Sequence, residues 1–380
     1  MSPRALGVAE ALVGGTRIVG DVVVEGGVVT EVGVRPAGRT GLAVPGFVDV
    51  QVNGFAGVDF ISADLDGYAE ASRALARTGV TSFLTTLPTA APEAYGPALA
   101  AAGEAAATTL PGAQVVGVHL EGPFLSPDRP GAHRPEWLQT PDADLCDRWI
   151  DSAPIAVVTL APEIDGALDL IAHLHARGVV VSLGHTDARA ATAHQGFDAG
   201  ASMVTHLWNA QRPITSREPA VGGVGLARTD VVVGIIGDLI HVAADTLRLS
   251  IAAAGDRFML VTDAVWLAGT DRLDRPLDDD TRDTRHGNRG VTLANGAVRL
   301  PDGTLAGSAC SMDRAIRNIV GLGLPLEQVI GAATTTPARA LGVRGKGLGE
   351  IAIGGRADLV VLDDGLDVRG VLVAGRDVFG

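Results

Sequence analysis

Eight apolar runs of strand length, alternating with Ala-rich helical stretches, constrain the fold of this 380-residue chain more than any other feature. Parallel strands need long crossover connections, so this alternation indicates βα units around a parallel sheet. Eight such units are the number that closes into a (β/α)8 barrel. The predicted strands are Phe47 to Gln51, Val80 to Thr85, Val115 to Glu121, Ile155 to Leu160, Val179 to His185, Ala201 to His206, Val231 to Ile236 and Phe258 to Asp263.

The stretches between these runs have helical composition. Four of them are Asp66 to Arg77, Asp165 to Arg177, Asp187 to Ala199 and Ala243 to Ala254. Several begin with Asp, which favours the N-cap position, and end at Gly. Crossover helices of this length suit the barrel.

Short β runs joined by Gly turns flank the barrel pattern at both ends of the chain. We expect these two ends to pair as one small β-sandwich domain. The predicted domains are therefore residues 1–45 and 343–380 for the two parts of the small β domain and 46–342 for the barrel. The segment Thr270 to Gly290 is rich in Asp and Arg and is either an active-site lid or a solvated surface excursion.

The charge balance restricts the partners. The chain has 30 basic and 44 acidic residues, a net charge of −14, which disfavours nucleic acid and anionic membranes. A small anionic substrate is still compatible with this net charge, because a local cationic pocket can form within an acidic protein. The two cysteines, Cys146 and Cys310, have no disulfide or zinc-site spacing, and the longest apolar runs are only strand-length. We therefore expect a cytoplasmic protein with no export signal or membrane span.

Polar side chains end four of the predicted strands, at the barrel edge where such enzymes carry out their chemistry. Glu121, His185 and His206 supply one carboxylate and two imidazoles, a ligand set of catalytic zinc that also suits iron, cobalt or manganese. Asp263 ends the eighth strand, where it could take a proton from a metal-activated water and return it to a leaving group. Any one of these residues alone would be read as structural, but four at four strand ends predict metal-assisted hydrolysis.

The end of the first strand indicates a single metal ion. Many barrel hydrolases carry His-x-His there, whereas this chain has Gln51 and Asn53, whose neutral amides bind divalent metals poorly. Lys346 is the only lysine and lies in the tail, so no carbamylated bridging lysine is available. His119 shares a strand face with Glu121, which allows a supporting role, although a packed core histidine is the favoured interpretation.

Taken in order, the motifs resemble the amidohydrolase superfamily and, within it, the N-acetylglucosamine-6-phosphate deacetylases. The resemblance spans nearly the whole chain. It rests on Pro45 to Gly54 (PGFVDVQVNG), His119 to Phe124 (HLEGPF), Leu160 to Glu163 (LAPE), Gly184 to Thr186 (GHT), Thr205 to Ala210 (THLWNA), Ile214 to Pro219 (ITSREP), Val261 to Ala264 (VTDA) and Leu305 to Ser308 (LAGS).

The resemblance implies one divalent metal ion per subunit, zinc foremost, held by Glu121, His185 and His206. It implies that Asp263 is the acid/base and that His133 polarises the amide carbonyl. The cofactor set stays open to iron, cobalt and manganese, because imidazole and carboxylate ligands suit all of them.

The resemblance also implies the residues that contact the substrate. These are Ala132, Asn209, Ala210 and a closing loop of Leu305, Ala306 and Gly307. Arg217 and His241 are implied to hold the 6-phosphate, for which a planar guanidinium fork and an imidazolium are suitable donors. The alternatives are a surface arginine for Arg217 and a hydrogen-bonded loop histidine for His241.

The expected reaction is hydrolysis of the acetamide of N-acetyl-D-glucosamine 6-phosphate, by a metal-activated water, to D-glucosamine 6-phosphate and acetate. A homodimer is implied, in which the neighbouring subunit helps to close the phosphate site. Two alternatives remain: a deacetylase of another substrate, such as N-acetylgalactosamine 6-phosphate or an N-acyl amino acid, and a non-catalytic sugar-phosphate sensor. The sensor would not need all four strand-end residues.

Overall fold

Eight parallel strands form the central sheet of the computed structural model, which describes residues 3–270, 290–342 and 347–379. Each strand pairs with the next along the chain. In order, the barrel strands are Phe47–Val52, Val80–Pro88, Gln114–Glu121, Ile155–Leu160, Val180–Leu183, Met203–Val204, Val232–Ile236 and Phe258–Val261.

The first and eighth strands close the barrel. Within the described ranges they share one parallel bridge, between Val52 and Ala264, and the backbone N–H groups of Asn53 and Gly54 both donate to the Ala264 carbonyl oxygen. The predicted (β/α)8 barrel is therefore confirmed.

Helices follow most of the strands and cover the outside of the barrel. They are α1 Leu65–Arg77, α2 Pro92–Ala107, α3 Ala143–Ser152, α4 Ala167–Ala176, α5 Ala190–Asp198, α6 Ala220–Ala227, α7 Ala244–Ala254, α8 Met312–Gly321, α9 Leu326–Ala333 and α10 Thr335–Ala340, with 3-10 turns at Pro135–Trp137 and Gly255–Arg257. The largest buried cluster joins strand side chains such as Phe83 and Val118 to helix side chains such as Leu75, Leu99 and Leu174. Among the described residues, no helix has both the length and the apolar character needed to cross a bilayer.

The predicted Asp N-caps are wrong for three helices. Helix α1 is capped by Asp64, and Asp66 lies in its first turn. Helix α4 begins after Gly166 and α5 after Arg189, neither with a side-chain cap. Asp187 instead pairs with the guanidinium groups of Arg129 and Arg212, so its carboxylate binds two cations in place of a helix N-terminus.

Strands from both chain ends form two further sheets. The six-stranded sheet has the order Arg376–Asp377, Val368–Val373, Leu359–Leu362, Leu42–Pro45, Glu10–Val13 and Thr16–Val19, and the three-stranded sheet has the order Arg4–Ala5, Asp21–Glu25 and Val28–Val34. Leu359–Leu362 pairs antiparallel with Leu42–Pro45, which confirms the expected pairing of the two termini. The domain boundaries themselves stay a prediction, and residues 343–346 lie outside the described part of the chain.

Two small sheets follow the ends of barrel strands. The segments Gly54–Phe55 and Val58–Asp59 form a two-stranded ribbon after the first strand. The other sheet, which we call the mouth sheet, consists of Thr292–Ala294, Ala297–Arg299 and Leu305–Ser308. Most of the charged segment between Thr270 and Gly290, namely residues 271–289, lies outside the described residues, so neither interpretation of it is tested.

Candidate metal centre and active site

Three of the four chemistry-bearing strand ends leave the extended conformation earlier than predicted. The fifth, sixth and eighth strands end at Leu183, Val204 and Val261 rather than at His185, His206 and Asp263. These last three residues have φ values of 48°, 29° and 49°, in the positive-φ range that only a turned backbone uses. The turned backbone ends each strand, and it directs the side chain of the turned residue towards the barrel mouth.

A close approach of neighbouring strands explains the glycine before His185. A Cβ atom on Gly184 would lie 2.8 Å from the Thr205 Cβ and 2.9 Å from the Thr159 Cγ2. Only glycine fits between Thr159 of the fourth strand and Thr205, which follows the sixth. The packing here therefore brings the end of the fifth strand close to both of its neighbours just below the site.

The predicted metal ligands converge at one buried point. The Glu121 Oε1 lies 2.9 Å from the His206 Nε2 and 3.3 Å from the His185 Nε2. The two Nε2 atoms are 3.0 Å apart, and the ligand atoms all lie within 4.8 Å of one another. The structure thus brings together three residues that are distant in sequence.

The donor set fits a divalent cation. The His185 Nδ1 lies 3.2 Å from the Arg129 carbonyl oxygen, which can only accept, so this nitrogen carries the proton and a neutral ring turns the lone pair of Nε2 towards His206. Two imidazole nitrogens and a carboxylate oxygen facing one point repel each other unless a cation or a proton lies between them. The His206 Nδ1 is buried and has no partner among the described residues.

Glu121 is ionised in this setting. Burial alone would raise the pKa of Glu121, but the hydrogen bonds and positive charge that His185 and His206 supply when their rings are protonated hold it well below its usual range. Its Oε1 also accepts a hydrogen bond from the Gln51 Nε2 (2.9 Å). The carboxylate is therefore fixed in both charge and direction.

Asp263 is held beside the metal ligands by the two amides of the first strand. Its Oδ1 accepts from the Asn53 Nδ2 (2.8 Å) and the Gln51 Nε2 (3.2 Å). Burial and the negative charge of Glu121 raise the pKa of Asp263 above its ordinary value. A carboxylate with a raised pKa can accept and release a proton nearer neutral pH, which suits an acid/base.

His133 enters the site with a defined tautomer. The backbone N–H of Thr89 donates to its Nδ1 (3.2 Å), so a neutral ring carries its proton on Nε2. That Nε2 lies 4.0 Å from the Glu121 Oε2, and the ring packs edge-on against His185 with centroids 4.4 Å apart. The N–H of His133 is therefore directed at the metal ligands.

A cavity of about 710 Å³ opens over this group. Of the predicted substrate residues, it is lined by Ala132, Asn209, Ala210, His241, Leu305 and Gly307, together with His133 and Asp263. Arg217 is exposed and is not among the described residues that line the cavity. Its phosphate role stays a prediction, as do the other substrate contacts.

The segment predicted as a closing loop is a strand. Leu305–Ser308 pairs antiparallel with Ala297–Arg299 in the mouth sheet. Because side chains alternate along a strand, Leu305 and Gly307 face the cavity while Ala306 is fully buried in an apolar cluster with Val265 and Trp266. The segment implied by the resemblance is therefore a paired strand and not a loop, and its contact with the substrate stays a prediction.

His241 is oriented by a carboxylate. Its Nδ1 lies 2.7 Å from the Asp238 Oδ2, and the Asp238 Oδ1 accepts from the backbone N–H groups of Ile240 and His241. Burial opposes ionisation of Asp238, but these hydrogen bonds and the charge of His241 lower its pKa. The pair fixes the ring of His241, and the residue lines the cavity.

Sequence reasoning missed several residues that shape the site. Gln51 and Asn53 were used only to exclude a second metal, although their place at the end of the first strand also signals a contact with the other strand ends. Asp238, three residues before His241, could have been found from the Asx-turn pattern. Thr89 gave no signal, because its contribution is a backbone N–H.

Comparison with known proteins agrees with this geometry. The model of the amidohydrolase family matches residues 42–378. An N-acetylgalactosamine-6-phosphate deacetylase from Escherichia coli O157:H7 is 37% identical over 338 residues, covering 88% of this chain and 87% of the relative. An N-acetylglucosamine-6-phosphate deacetylase from Bacillus subtilis is 34% identical over 343 residues, covering 88% and 84%.

A solved structure is similar over its full length. It is an N-acetyl-D-glucosamine-6-phosphate deacetylase mutant from Mycobacterium smegmatis in complex with N-acetyl-D-glucosamine 6-phosphate, with a TM-score of 0.91 and 34% identity over 100% of both chains.

His119 is a structural residue of the barrel. It is 2% exposed, and its ring nitrogens lie 3.0 Å from the Val50 carbonyl oxygen and 2.8 Å from the Thr159 hydroxyl. Burial lowers the pKa of His119 to about 4, so the folded protein keeps this ring neutral at pH values where an unfolded chain protonates it.

The neutral state of His119 predicts an acid-sensitive fold. Because the unfolded pKa is about 6.5 and the folded pKa is lower, this contribution to stability is lost as the pH falls from 6.5 towards 4. Between pH 7 and pH 5 the loss is about 2 kcal/mol of unfolding free energy. In denaturant titrations, His119→Gln should lose less between these pH values than wild type, and the exposed control His194→Gln should match wild type. Equal losses in all three proteins would contradict the prediction.

Proposed function

The chain belongs to the amidohydrolase family, and on that premise we propose that it hydrolyses the acetamide of N-acetyl-D-glucosamine 6-phosphate to D-glucosamine 6-phosphate and acetate. One observation carries the proposal. A metal-binding triad, a proton-accepting carboxylate and an N–H-bearing imidazole all line the floor of one cavity. These are the groups that amide hydrolysis requires.

Glu121, His185 and His206 would hold the divalent metal ion. When bound there, the ion supplies Lewis acidity, which lowers the pKa of water and polarises a carbonyl. The substrate amide enters with its carbonyl oxygen towards the Nε2–H of His133, which donates a hydrogen bond to the charge that develops on that oxygen.

Asp263 moves the proton. Its carboxylate, oriented by Asn53 and Gln51, takes a proton from the attacking water as the new C–O bond forms. The protonated Asp263 then donates to the amide nitrogen as the C–N bond breaks, which releases the amine and acetate. The carboxylate returns to its starting charge after each turnover.

The galacto epimer is a second candidate substrate, because the Escherichia coli relative at 37% identity is an N-acetylgalactosamine-6-phosphate deacetylase. The two sugars differ in the direction of one hydroxyl, a difference worth about 1 to 3 kcal/mol in an enzyme that is not built to reject one of them. The ratio of kcat/KM for the two 6-phosphates decides between them.

Three further features belong to the proposal. Zinc is the foremost metal for a site of two imidazoles and one carboxylate. The buried thiols of Cys146 and Cys310 are free, which supports a location in the reducing cytoplasm. A homodimer, in which the neighbouring subunit helps to close the phosphate site, also belongs to the proposal and would allow the exposed Arg217 to reach a neighbour's cavity.

Acetate release tests the proposal directly. Purified protein should release acetate from N-acetylglucosamine 6-phosphate, lose the activity after chelation, and regain it when zinc, iron, cobalt or manganese is added back. The reason is that Glu121, His185 and His206 by themselves do not activate water. No release with any metal would refute the proposal and direct the search to other N-acyl substrates.

Asp263→Asn should lower kcat about 10²- to 10⁴-fold, because the amide cannot take the proton from water. Metal content by elemental analysis should stay near that of wild type, because Asp263 is not one of the three ligands. Asp21→Asn is a matched control: this buried carboxylate accepts backbone N–H groups in the small β domain and should keep full activity. Loss of the metal from Asp263→Asn would contradict this division of roles.

Arg217→Ala should raise the KM for the phosphorylated sugar about 10- to 100-fold, the effect of losing one charge-assisted hydrogen bond. The KM for N-acetylglucosamine without phosphate should change little. Arg369→Ala, at an exposed site in the small β domain, is the control and should change neither. An equal effect of Arg217→Ala on both substrates would remove Arg217 from the phosphate site.

A further inference from the structure

Asp263 has a backbone conformation that needs support. Its φ is 49°, in a region that residues other than glycine seldom occupy and that costs on the order of 1 kcal/mol or more. The direction of the carboxylate depends on this backbone, because the side chain is short. Whatever holds the peptide groups around Asp263 therefore also aims its carboxylate.

Ser308 of the mouth sheet bonds the peptide groups on both sides of Asp263. Its N–H donates to the Asp263 carbonyl oxygen (2.8 Å), and its hydroxyl donates to the Thr262 carbonyl oxygen (2.6 Å). The Ser308 carbonyl oxygen accepts from the N–H of Val265 (3.0 Å). Three hydrogen bonds from one residue thus bracket the acid/base.

The Ser308 hydroxyl has a fixed direction. It accepts a hydrogen bond from the N–H of Cys310 (3.1 Å), and the residue is only 1% exposed. Because the oxygen accepts from one side, its proton turns to the Thr262 carbonyl on the other. The hydrogen bond from the Ser308 hydroxyl to the Thr262 carbonyl oxygen is therefore fixed by its buried surroundings.

The strand Leu305–Ser308 lies close to Asp263 because its backbone approaches that residue at Gly307. Gly307 has a φ of 65°, and a Cβ there would lie 2.5 Å from the Val265 Cγ1 and 2.9 Å from the Asp263 carbonyl oxygen. Glycine is required at this point for Ser308 to reach its partners.

We propose that Ser308 is a positioning residue, whose hydroxyl holds the Thr262–Asp263 peptide so that the Asp263 carboxylate is aimed at the reacting amide. The inference rests on the proposed function, because it assumes that Asp263 transfers the proton. It also links substrate binding to catalysis, since Leu305 and Gly307 of the same strand line the cavity.

Ser308→Ala should lower kcat about 10- to 100-fold, the loss expected when an oriented group is misplaced by about 1 Å. The KM should stay within about twofold and the metal content should be unchanged, since the hydroxyl touches neither substrate nor metal ligands. Ser72→Ala is the matched control: that buried hydroxyl also donates to a carbonyl oxygen (Ala113, 2.8 Å) and accepts a backbone N–H (Gly112, 2.9 Å). It should lower Tm to a similar extent without lowering kcat.

A second variant tests the same role if Ser308→Ala folds poorly. Ser308→Cys keeps an atom at the position but replaces a strong donor by a weak one, and its kcat should also fall. Adding Ser308→Ala to Asp263→Ala should cost little further activity, because residues that act as a unit are not additive.

Three results would overturn the inference. They are a kcat loss no larger than that of Ser72→Ala in both Ser308 variants, a KM increase that accounts for the loss, and full additivity with Asp263→Ala. Absence of acetate release by wild type itself would instead refute the proposed function, and with it the role of Asp263 on which this inference depends.

Discussion

The closure of the barrel between its first and last strands is the constraint on which the site depends. Among the residues that the structure describes, backbone pairing at this seam is limited to the strand ends, and side chains supply further hydrogen bonds. The Asp49 carboxylate accepts from the Thr262 hydroxyl (2.6 Å) and N–H (3.3 Å). Burial raises the pKa of Asp49 to about 7 despite these hydrogen bonds, which offset part of the cost of placing a carboxyl group inside the barrel.

The seam also determines the position of Asp263, the proposed acid/base. Asp263 directly follows Thr262, and it is bonded from the first strand by Gln51 and Asn53 and from the mouth sheet by Ser308. The amides of Gln51 and Asn53 are neutral donors, so they orient the carboxylate without adding charge. The negative charge of Glu121 can then act on Asp263 and raise its pKa. The residues of the seam thus set the direction of the Asp263 carboxylate, whereas burial and Glu121 of the third strand raise its pKa.

The sequence was sufficient for features that follow from periodicity or from strand order. The eight apolar runs predicted the barrel, and residues at the ends of parallel strands must meet at one edge, so Glu121, His185 and His206 could be grouped before any geometry was known. Backbone conformation was not predictable in this way. A positive φ at His185 depends on packing against neighbouring strands, and the pairing of Leu305–Ser308 depends on contacts with a distant hairpin. Arg217 shows a further limit, because a motif match says nothing about which cavity a surface side chain can reach.

The overall charge and the local charge of this protein act over different distances. A net charge of −14 repels polyanions, whose many phosphates sample the whole surface. At physiological ionic strength, however, exposed charges are screened beyond about 8 Å, so a small anion inside the cavity interacts mainly with the groups that line it. Those groups include His241, Arg134 and Arg299. The Arg134 guanidinium lies 4.8 Å from the centre of the Trp137 ring and its buried Nε has no partner among the described residues. A phosphorylated sugar can therefore find positive charge within an acidic protein.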